Sequence, residues 1–142
     1  MTDVSAALFV YGTLMQGEVR SRFWPRRPLR IEPASTLGRL YDLGPYPALL
    51  EGTDTVLGEL WHFERADVPE TLAVLDRIEC YGQEGVDLYV RRVVDCRTLD
   101  GGGATAFAYF LADATRAKQG RIIGPNERGV CSWRDRPLVP EN

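Results

Sequence analysis

Only one segment of this sequence has the periodicity of an α-helix, which limits the folds open to the chain. In residues 68–79, apolar side chains recur on a single stripe at about 100° per residue. The stripe consists of Val68, Leu72 and Leu75. Asp67 precedes it as a candidate N-cap, and Pro69 suits the first helical turn. A doubly wound parallel sheet needs several such helices, so the sequence predicts an α+β fold instead.

Most other patterned segments have the composition of β-strands. The predicted strands are residues 8–11, 56–63, 89–99 and 104–111, together with a strand, a sharp loop and a second short strand within residues 34–50. A glycine-rich connection at residues 100–103 is typical of a hairpin. We therefore predict a sheet that closes toward a barrel.

The chain divides into a domain and a tail. Its 142 residues, 44% of them apolar, suit one compact domain, which we place at residues 1–114. Residues 115–142 are polar and rich in glycine and proline, with only residues 130–133 able to pack back. We predict that they form an irregular C-terminal tail packed on the same domain.

Charge and cysteine content argue against several classes of partner. A net charge of −3 and a pI near 5.2 give no electrostatic basis for binding nucleic acid or an anionic membrane. We interpret the local basic cluster as a solvated loop; it comprises Arg20, Arg22, Arg26, Arg27 and Arg30. The three cysteines lack the spacing of a disulfide framework or a zinc site, and no run approaches the roughly 20 apolar residues of a membrane span. We expect a cytoplasmic protein with no metal site.

A carboxylate occupies a position on the apolar stripe of the predicted helix. Glu79 follows Leu72 by seven residues and Leu75 by four, so it falls near the middle of that stripe. Such a group can form a structural ion pair, for example with Arg39 or Arg91, or it can serve as an acid/base group whose pKa is raised by burial. Helical phase alone leaves both interpretations open.

The turn after the first strand is a second candidate site. It reads Tyr11-Gly12-Thr13-Leu14, where glycine lets the backbone turn sharply and aim its N–H groups at one point. Such nests bind anions, carboxylates included. The local pattern also fits a plain strand-ending turn, and neither the P-loop nor the dinucleotide fingerprint is present.

Three further polar residues receive structural interpretations. Glu59 is a second candidate acid that we interpret as an outward-facing strand carboxylate. Asp76, at the edge of the helical stripe, is expected to hold a loop through backbone amides rather than act as a second acid. His62 is the only histidine and is interpreted as structural, and its spacing from Cys80 does not indicate a nucleophilic pair.

Five motifs taken together resemble the γ-glutamylcyclotransferase-like family, also called AIG2-like, over roughly residues 7–111. The motifs are Tyr11-Gly12-Thr13-Leu14, Tyr46-Pro47-Ala48, Gly58-Glu59-Leu60-Trp61, Leu75-Asp76-Arg77-Ile78-Glu79 and Tyr89-Val90-Arg91-Arg92. The resemblance implies a small mixed β-barrel with one main helix and short peripheral helices. It also implies an enzyme that needs no cofactor.

The same resemblance assigns roles to residues. Gly12, Thr13 and Leu14, with Tyr11 in the same motif, would bind the α-carboxylate of a γ-glutamyl group, and Glu79 would be the catalytic acid/base. Tyr89 and Tyr109 fall where tyrosines of similar proteins line the cavity. Cys80 departs from the family pattern, in which glycine is frequent after the glutamate, and is expected to alter the helix exit.

The implied reaction is an intramolecular acyl transfer of the transferase or lyase type. The α-amine of a γ-glutamyl amine or γ-glutamyl amino acid attacks the side-chain carbonyl, which gives 5-oxoproline and a free amine. One alternative uses this chemistry to remove a γ-glutamyl protecting group in a biosynthetic pathway. The other is a non-catalytic module that binds an acidic metabolite. The sequence leaves the leaving amine and the oligomeric state open.

Overall fold

A computed structural model describes residues 6–136 of the chain. Within this range it contains the strands β1 (Ala7–Val10), β2 (Arg30–Asp42), β3 (Pro47–His62), β4 (Tyr89–Thr98), β5 (Gly103–Leu111), β6 (Arg121–Ile123) and β7 (Val130–Cys131), the helix α1 (Val68–Ile78), and the 3₁₀ turns Ser21–Phe23, Arg65–Asp67, Ala114–Gln119 and Trp133–Asp135. Residues 1–5 of the predicted domain and residues 137–142 of the predicted tail lie outside the described residues.

Five of the strands close into a small barrel. β3 pairs antiparallel with β1 and β2, and β4 pairs antiparallel with β2 and β5. The circle is completed by β1 and β5, which run parallel and are in register at Leu8 and Phe107. The predicted fold class, a small mixed α+β barrel with one main helix, is confirmed. The described chain has no helix long and apolar enough to cross a membrane.

β3 joins two segments that the sequence presents as separate strands. The register of the β2–β3 pair shifts between Gly38, which lies opposite Asp54, and Arg39, which lies opposite Leu50. The exposed residues 51–53 therefore bulge out of the ladder. Their polar character suggested a loop, but the strand continues through them.

Residues beyond 114 pair with the barrel through two short strands. β6 pairs antiparallel with β2, and β7 pairs parallel with β3. Next to β7, the side chains of Cys131 and Trp133 are fully buried in the core. Strands of two or three residues are too short to produce a periodic pattern, so the sequence did not indicate them. The division of the chain at residue 114 stays a prediction.

The helix α1 packs one face against the barrel, as the apolar stripe predicted. Val68 and Leu75 are buried, and Thr71 is buried between them, whereas Leu72 is only half-buried. The Thr71 hydroxyl donates to the Asp67 carbonyl at 2.8 Å, which satisfies its polar group within the helix. Asp67 occupies the N-cap position, but its side chain makes no capping hydrogen bond.

The C-terminus of α1 forms a Schellman motif that fixes the position of Glu79. The Tyr81 N–H donates to the Asp76 carbonyl at 2.8 Å, and the Cys80 N–H donates to the Arg77 carbonyl at 3.3 Å. This motif requires a left-handed residue just after the helix cap, and Cys80 takes that conformation with φ of 53°. The backbone at the end of the helix therefore has the conformation that a glycine would adopt, although Cys80 carries a Cβ.

We expect Cys80→Gly to raise the free energy of unfolding by about 0.5–1 kcal/mol, because glycine enters the left-handed region without steric cost. Cys80→Ala, which keeps the Cβ, is the matched control and should remain close to the wild type. Urea denaturation of the three proteins measures the difference. Equal effects of glycine and alanine would show that the thiol, and not the backbone conformation, determines stability here.

The loop after β1 folds back over β3. Trp24 of this loop stacks on Trp61, with ring centroids 4.2 Å apart and planes inclined by 9°. The Gln16 N–H donates to the Glu59 carboxylate at 2.8 Å, and Glu59 is only 9% exposed. The prediction that Glu59 faces outward is therefore wrong. The loop covers that face of the strand, and no pattern within the strand reveals such a cover.

Candidate active site

The turn after β1 and the end of α1 meet in one cleft. Its empty volume is about 370 Å³, including the part that is open to solvent. The cleft is lined by Phe9, Val10, Tyr11, Gly12, Thr13, Leu14, Arg20, Tyr46, Pro47, Glu79, Tyr89 and Tyr109. All of the site residues predicted from the sequence therefore line the same cleft.

In the turn residues Gly12, Thr13 and Leu14, the backbone carbonyls have partners within residues 6–136, whereas the backbone N–H groups have none there. Each of the three carbonyls accepts a hydrogen bond from the protein. The donors, in order, are Met15 N–H at 3.1 Å, Arg20 N–H at 2.8 Å and Trp24 Nε1–H at 3.0 Å. Within residues 6–136 the three N–H groups donate to no protein acceptor, although all three residues are buried. Buried amides are ordinarily paired, so these three donors are available to a ligand.

Position 12 requires a glycine because a side chain has no room there, and not because of the backbone conformation. Its φ is not in the left-handed region. A Cβ at this position would lie 2.2 Å from Cγ of Pro47, closer than any real contact. The turn therefore packs directly against the start of β3. The sequence predicted that a glycine is needed here so that the chain can turn sharply. In the structure the glycine is needed because a side chain would collide with Pro47.

Glu79 brings an isolated carboxyl group into the cleft. It is 9% exposed, and within the described residues its carboxylate accepts no hydrogen bond and forms no ion pair. Burial raises its pKa from an ordinary 4.5 to about 7, and the positive charge of Arg20 opposes this shift. The ion pair with Arg91, considered from the sequence, does not form because Arg91 binds another carboxylate. Glu79 can therefore exchange a proton near neutral pH.

Three of the four tyrosines that line the cleft use their hydroxyls to hold the barrel together. Tyr11 donates to the Tyr109 carbonyl and Tyr89 donates to the Pro47 carbonyl, each at 2.6 Å. Tyr109 donates to Asp76 at 2.6 Å. Burial is the main reason that the pKa of each tyrosine lies well above its ordinary value. These groups stay neutral and protonated, so they shape the cleft without carrying protons.

Asp76 ties α1 to the barrel. Nη1 of Arg91 lies 2.7 and 2.6 Å from the two carboxylate oxygens, and the Tyr109 hydroxyl donates to one of them. The expectation that Asp76 holds a loop through backbone amides is therefore wrong. Asp76 and Glu79 are three residues apart and so lie on neighbouring parts of the helix surface. The bonds to Arg91 and Tyr109 thus fix the turn of helix that ends at Glu79.

The mouth of the cleft contains a residue that the sequence did not single out. Arg20 and Tyr46 are half-buried, whereas the other lining residues are buried. The Arg20 guanidinium carbon lies 5.8 Å from the centroid of the Tyr46 ring. Assigning Arg20 to a solvated loop was therefore wrong. It lies in an irregular segment, where no periodicity indicates which way a side chain points.

Comparison with known proteins places this architecture in a family. A family model described as gamma-glutamyl cyclotransferase, AIG2-like, matches residues 8–133. The chain belongs to this family. The Tyr11–Leu14 turn and Glu79, to which the resemblance assigns roles, lie inside the matched range.

Two relatives of this AIG2-like chain have names that state an activity or a family. The gamma-L-glutamyl-butirosin B gamma-glutamyl cyclotransferase of Niallia circulans is 34% identical over 97 residues, which cover 68% of this chain and 60% of that protein. A gamma-glutamylcyclotransferase family protein of Escherichia coli K12 is 32% identical over 87 residues, which cover 61% of this chain and 70% of that protein. The chain thus spans less than two thirds of the Niallia protein.

Solved structures share the fold of this AIG2-like chain. An AIG2-like protein from Mus musculus superposes with a TM-score of 0.62 at 22% identity, over 96% of this chain and 98% of that one. YkqA from Bacillus subtilis superposes with a TM-score of 0.56 at 24% identity, over 75% of this chain and 36% of that one. At these identities the likeness concerns the fold alone.

Neither the histidine nor the cysteines of this AIG2-like chain add chemistry to the cleft. His62 Nε2 lies 2.6 Å from Glu32, which gives the histidine a structural partner, as predicted. Cys80 is exposed and does not line the cleft, and Cys96 and Cys131 are buried elsewhere. Among residues 6–136, no group of three or more histidine, cysteine, aspartate or glutamate side chains is arranged to hold a metal ion.

Proposed function

We propose that this protein is a cofactor-independent γ-glutamyl cyclotransferase that converts a γ-glutamyl amine or γ-glutamyl amino acid to 5-oxoproline and a free amine. One observation carries the proposal: three backbone donors that have no acceptor within residues 6–136 and a buried carboxyl group with a pKa of about 7 line the same small cleft. Membership of the gamma-glutamyl cyclotransferase, AIG2-like, family supports the reaction type. So does the name of the Niallia relative.

The donors would hold the carboxylate end of the substrate. In the proposed complex the α-carboxylate accepts hydrogen bonds from the N–H groups of Gly12, Thr13 and Leu14. Backbone N–H groups that converge on one point bind anions in this way. Hydrogen bonds to an ionised acceptor are stronger than neutral ones, and the buried position of the turn limits competition from water.

Glu79 would then carry protons from the α-nitrogen to the departing nitrogen. The ionised carboxylate takes one proton from the substrate's α-ammonium group, and the freed amine attacks the γ-carbonyl carbon. Glu79 passes this proton to the departing nitrogen, and the original carbon–nitrogen bond breaks. The ring nitrogen gives up a second proton, through Glu79 or directly to the departing amine, so that the products are a neutral lactam and an ammonium ion. All atoms come from the substrate, so neither water nor a protein nucleophile is consumed.

Two physical effects account for the rate under this proposal. Fixing the carboxylate end folds the flexible glutamyl chain toward its cyclising conformer, and well-oriented intramolecular reactions gain roughly 7–11 kcal/mol. A carboxyl group with a pKa of about 7 is present in both protonation states near neutral pH. It can therefore accept and return a proton with little cost in either direction.

The proposal is tested by incubating the protein with γ-glutamyl amines, γ-glutamyl amino acids and glutathione, and by quantifying the products. We expect 5-oxoproline and free amine in equal amounts, with no glutamate. In ¹⁸O-labelled water the product should carry no label, because water does not take part. Labelled glutamate would indicate hydrolysis instead.

The same panel distinguishes the other candidate functions. Calorimetric binding without any product would indicate a non-catalytic module for an acidic metabolite. Turnover restricted to one γ-glutamyl amine of the panel would indicate a pathway-specific enzyme that removes a γ-glutamyl protecting group. The Niallia relative is named as a cyclotransferase of one such compound, gamma-L-glutamyl-butirosin B.

A further inference from the structure

The cleft has a buried end and an exposed end, and a substrate must lie between them. The unpaired donors of the turn and Glu79 belong to the buried end, whereas Arg20 and Tyr46 form the exposed mouth. If the glutamyl carboxylate occupies the turn, the group attached to the γ-carbonyl extends toward the mouth. The leaving amine is therefore the part of the substrate that meets Arg20.

Arg20 is held in place through its backbone, and its guanidinium has no ion-pair partner among residues 6–136. Its N–H donates to the Thr13 carbonyl at 2.8 Å, which fixes its backbone beside the turn. Within residues 6–136 its guanidinium forms no ion pair or hydrogen bond, and the guanidinium carbon lies 5.8 Å from the centroid of the Tyr46 ring. Glu18, the nearest carboxylate along the chain, lies 3.5 Å from Arg134 instead. The planar donors of Arg20 remain free for a ligand.

The mouth is positively charged although the whole chain carries a net charge of −3. Arg20 and Arg116 both oppose the rise in the pKa of Tyr89 that burial produces, so both charges act on that side of the cleft. Arg116 lies in the exposed 3₁₀ turn Ala114–Gln119, outside the lining of the cleft. The leaving group therefore lies in a region of positive potential, and of these two arginines only Arg20 lines the cleft.

We infer that Arg20 binds a carboxylate on the leaving group, so that γ-glutamyl amino acids are preferred over γ-glutamyl amines that lack an acid group. The inference rests on the proposed function. An amino acid that departs from the γ-carbonyl carries its carboxylate one carbon away from the departing nitrogen. That carboxylate lies at the mouth while the nitrogen is within reach of Glu79. A guanidinium matches the geometry of a carboxylate and can bind it through two hydrogen bonds.

A matched pair of substrates tests this assignment. γ-Glutamylalanine and γ-glutamylethylamine differ only in the carboxylate of the leaving group. For the wild type we expect kcat/KM to favour γ-glutamylalanine by about tenfold or more, the usual scale of a charge-assisted pair. Arg20→Gln should remove this preference by lowering kcat/KM for γ-glutamylalanine about tenfold more than kcat/KM for γ-glutamylethylamine. A change shared by both substrates reports the effect of the Arg20 charge on the pKa of Glu79, and it cancels in the ratio of the two values. Arg20→Lys, which keeps the charge, should restore part of the preference.

The control variant is Arg22→Gln. Arg22 is exposed, lies over the Phe23 ring at 5.1 Å and does not line the cleft, so its substitution removes the same charge without touching the mouth. The substrate preference of this variant should equal that of the wild type. A matching loss in Arg22→Gln would attribute the effect to net charge and overturn the assignment of Arg20.

Two further outcomes would overturn the inference. The first is equal turnover of both substrates by the wild type. The second is a preference for γ-glutamylalanine that Arg20→Gln leaves unchanged, whether or not activity on both substrates falls. In either case 5-oxoproline is still released, so the proposed function survives. If neither substrate is turned over, the proposed function fails. Calorimetry with the same pair on the wild type and Arg20→Gln then measures the preference directly, and equal affinities would overturn it.

Discussion

Glu79→Gln is expected to lower kcat for 5-oxoproline release by about 10³-fold, within the range that a positioned acid/base group contributes. Glutamine has nearly the same shape but cannot accept the proton of the α-ammonium group. The donors of the Gly12–Leu14 turn are untouched, so KM should change little. Steady-state kinetics on the best substrate of the panel measures both quantities.

The control for this experiment is Glu84→Gln, in the exposed loop after α1. It makes the same chemical change away from the cleft and should retain wild-type activity. Among the residues that line the cleft, Glu79 is the only carboxylate. Full activity of Glu79→Gln would therefore mean that no protein carboxylate transfers the proton, and the proposed mechanism would have to be abandoned.

The same substitution is expected to stabilise the protein at alkaline pH. The pKa of Glu79 is about 7 in the folded protein, against an ordinary 4.5. Between these values the folded state binds more protons than the unfolded state, so the free energy of unfolding of the wild type falls as pH rises through this window. This difference in pKa corresponds to roughly 3 kcal/mol of unfolding free energy once Glu79 is ionised in both the folded and the unfolded state. Glu79→Gln lacks this loss because its side chain stays neutral.

Urea denaturation of wild type and Glu79→Gln at several pH values between 4.5 and 8.5 measures the effect. Across this range the free energy of unfolding of the variant should rise by about 3 kcal/mol relative to that of the wild type, with most of the rise by pH 8. Other titrating groups are common to both proteins and cancel in the difference. Glu84→Gln should follow the wild type. A difference that does not vary with pH would mean that Glu79 titrates as a solvated carboxylate does.

The main elements of the fold could be predicted because each repeats a pattern over several residues. The helix was found from the spacing of Val68 and Leu75, and the same spacing placed Glu79 on the buried face. The strands of the β4–β5 hairpin were found from composition and from the glycine-rich turn between them. The bulge in β3 was missed because polar residues 51–53 look like a loop.

Contacts between distant segments could not be predicted. Glu59 is buried by a loop that folds back from β1, and Asp76 of α1 is paired with Arg91 of β4. Arg20 reaches the mouth from an irregular segment. Each of these outcomes depends on which surfaces the closed barrel brings together. A pattern within one segment carries no information about a partner far away in the chain.

The hydrogen bonds to the carbonyls of the Gly12–Leu14 turn have a thermodynamic consequence for ligand binding. Because all three carbonyls accept bonds from the protein, the turn loses its conformational entropy when the chain folds and not when a substrate arrives. A carboxylate then meets donors that are already in place, and little of the protein has to be ordered around it. More of the binding free energy remains available to bend the flexible glutamyl chain toward ring closure.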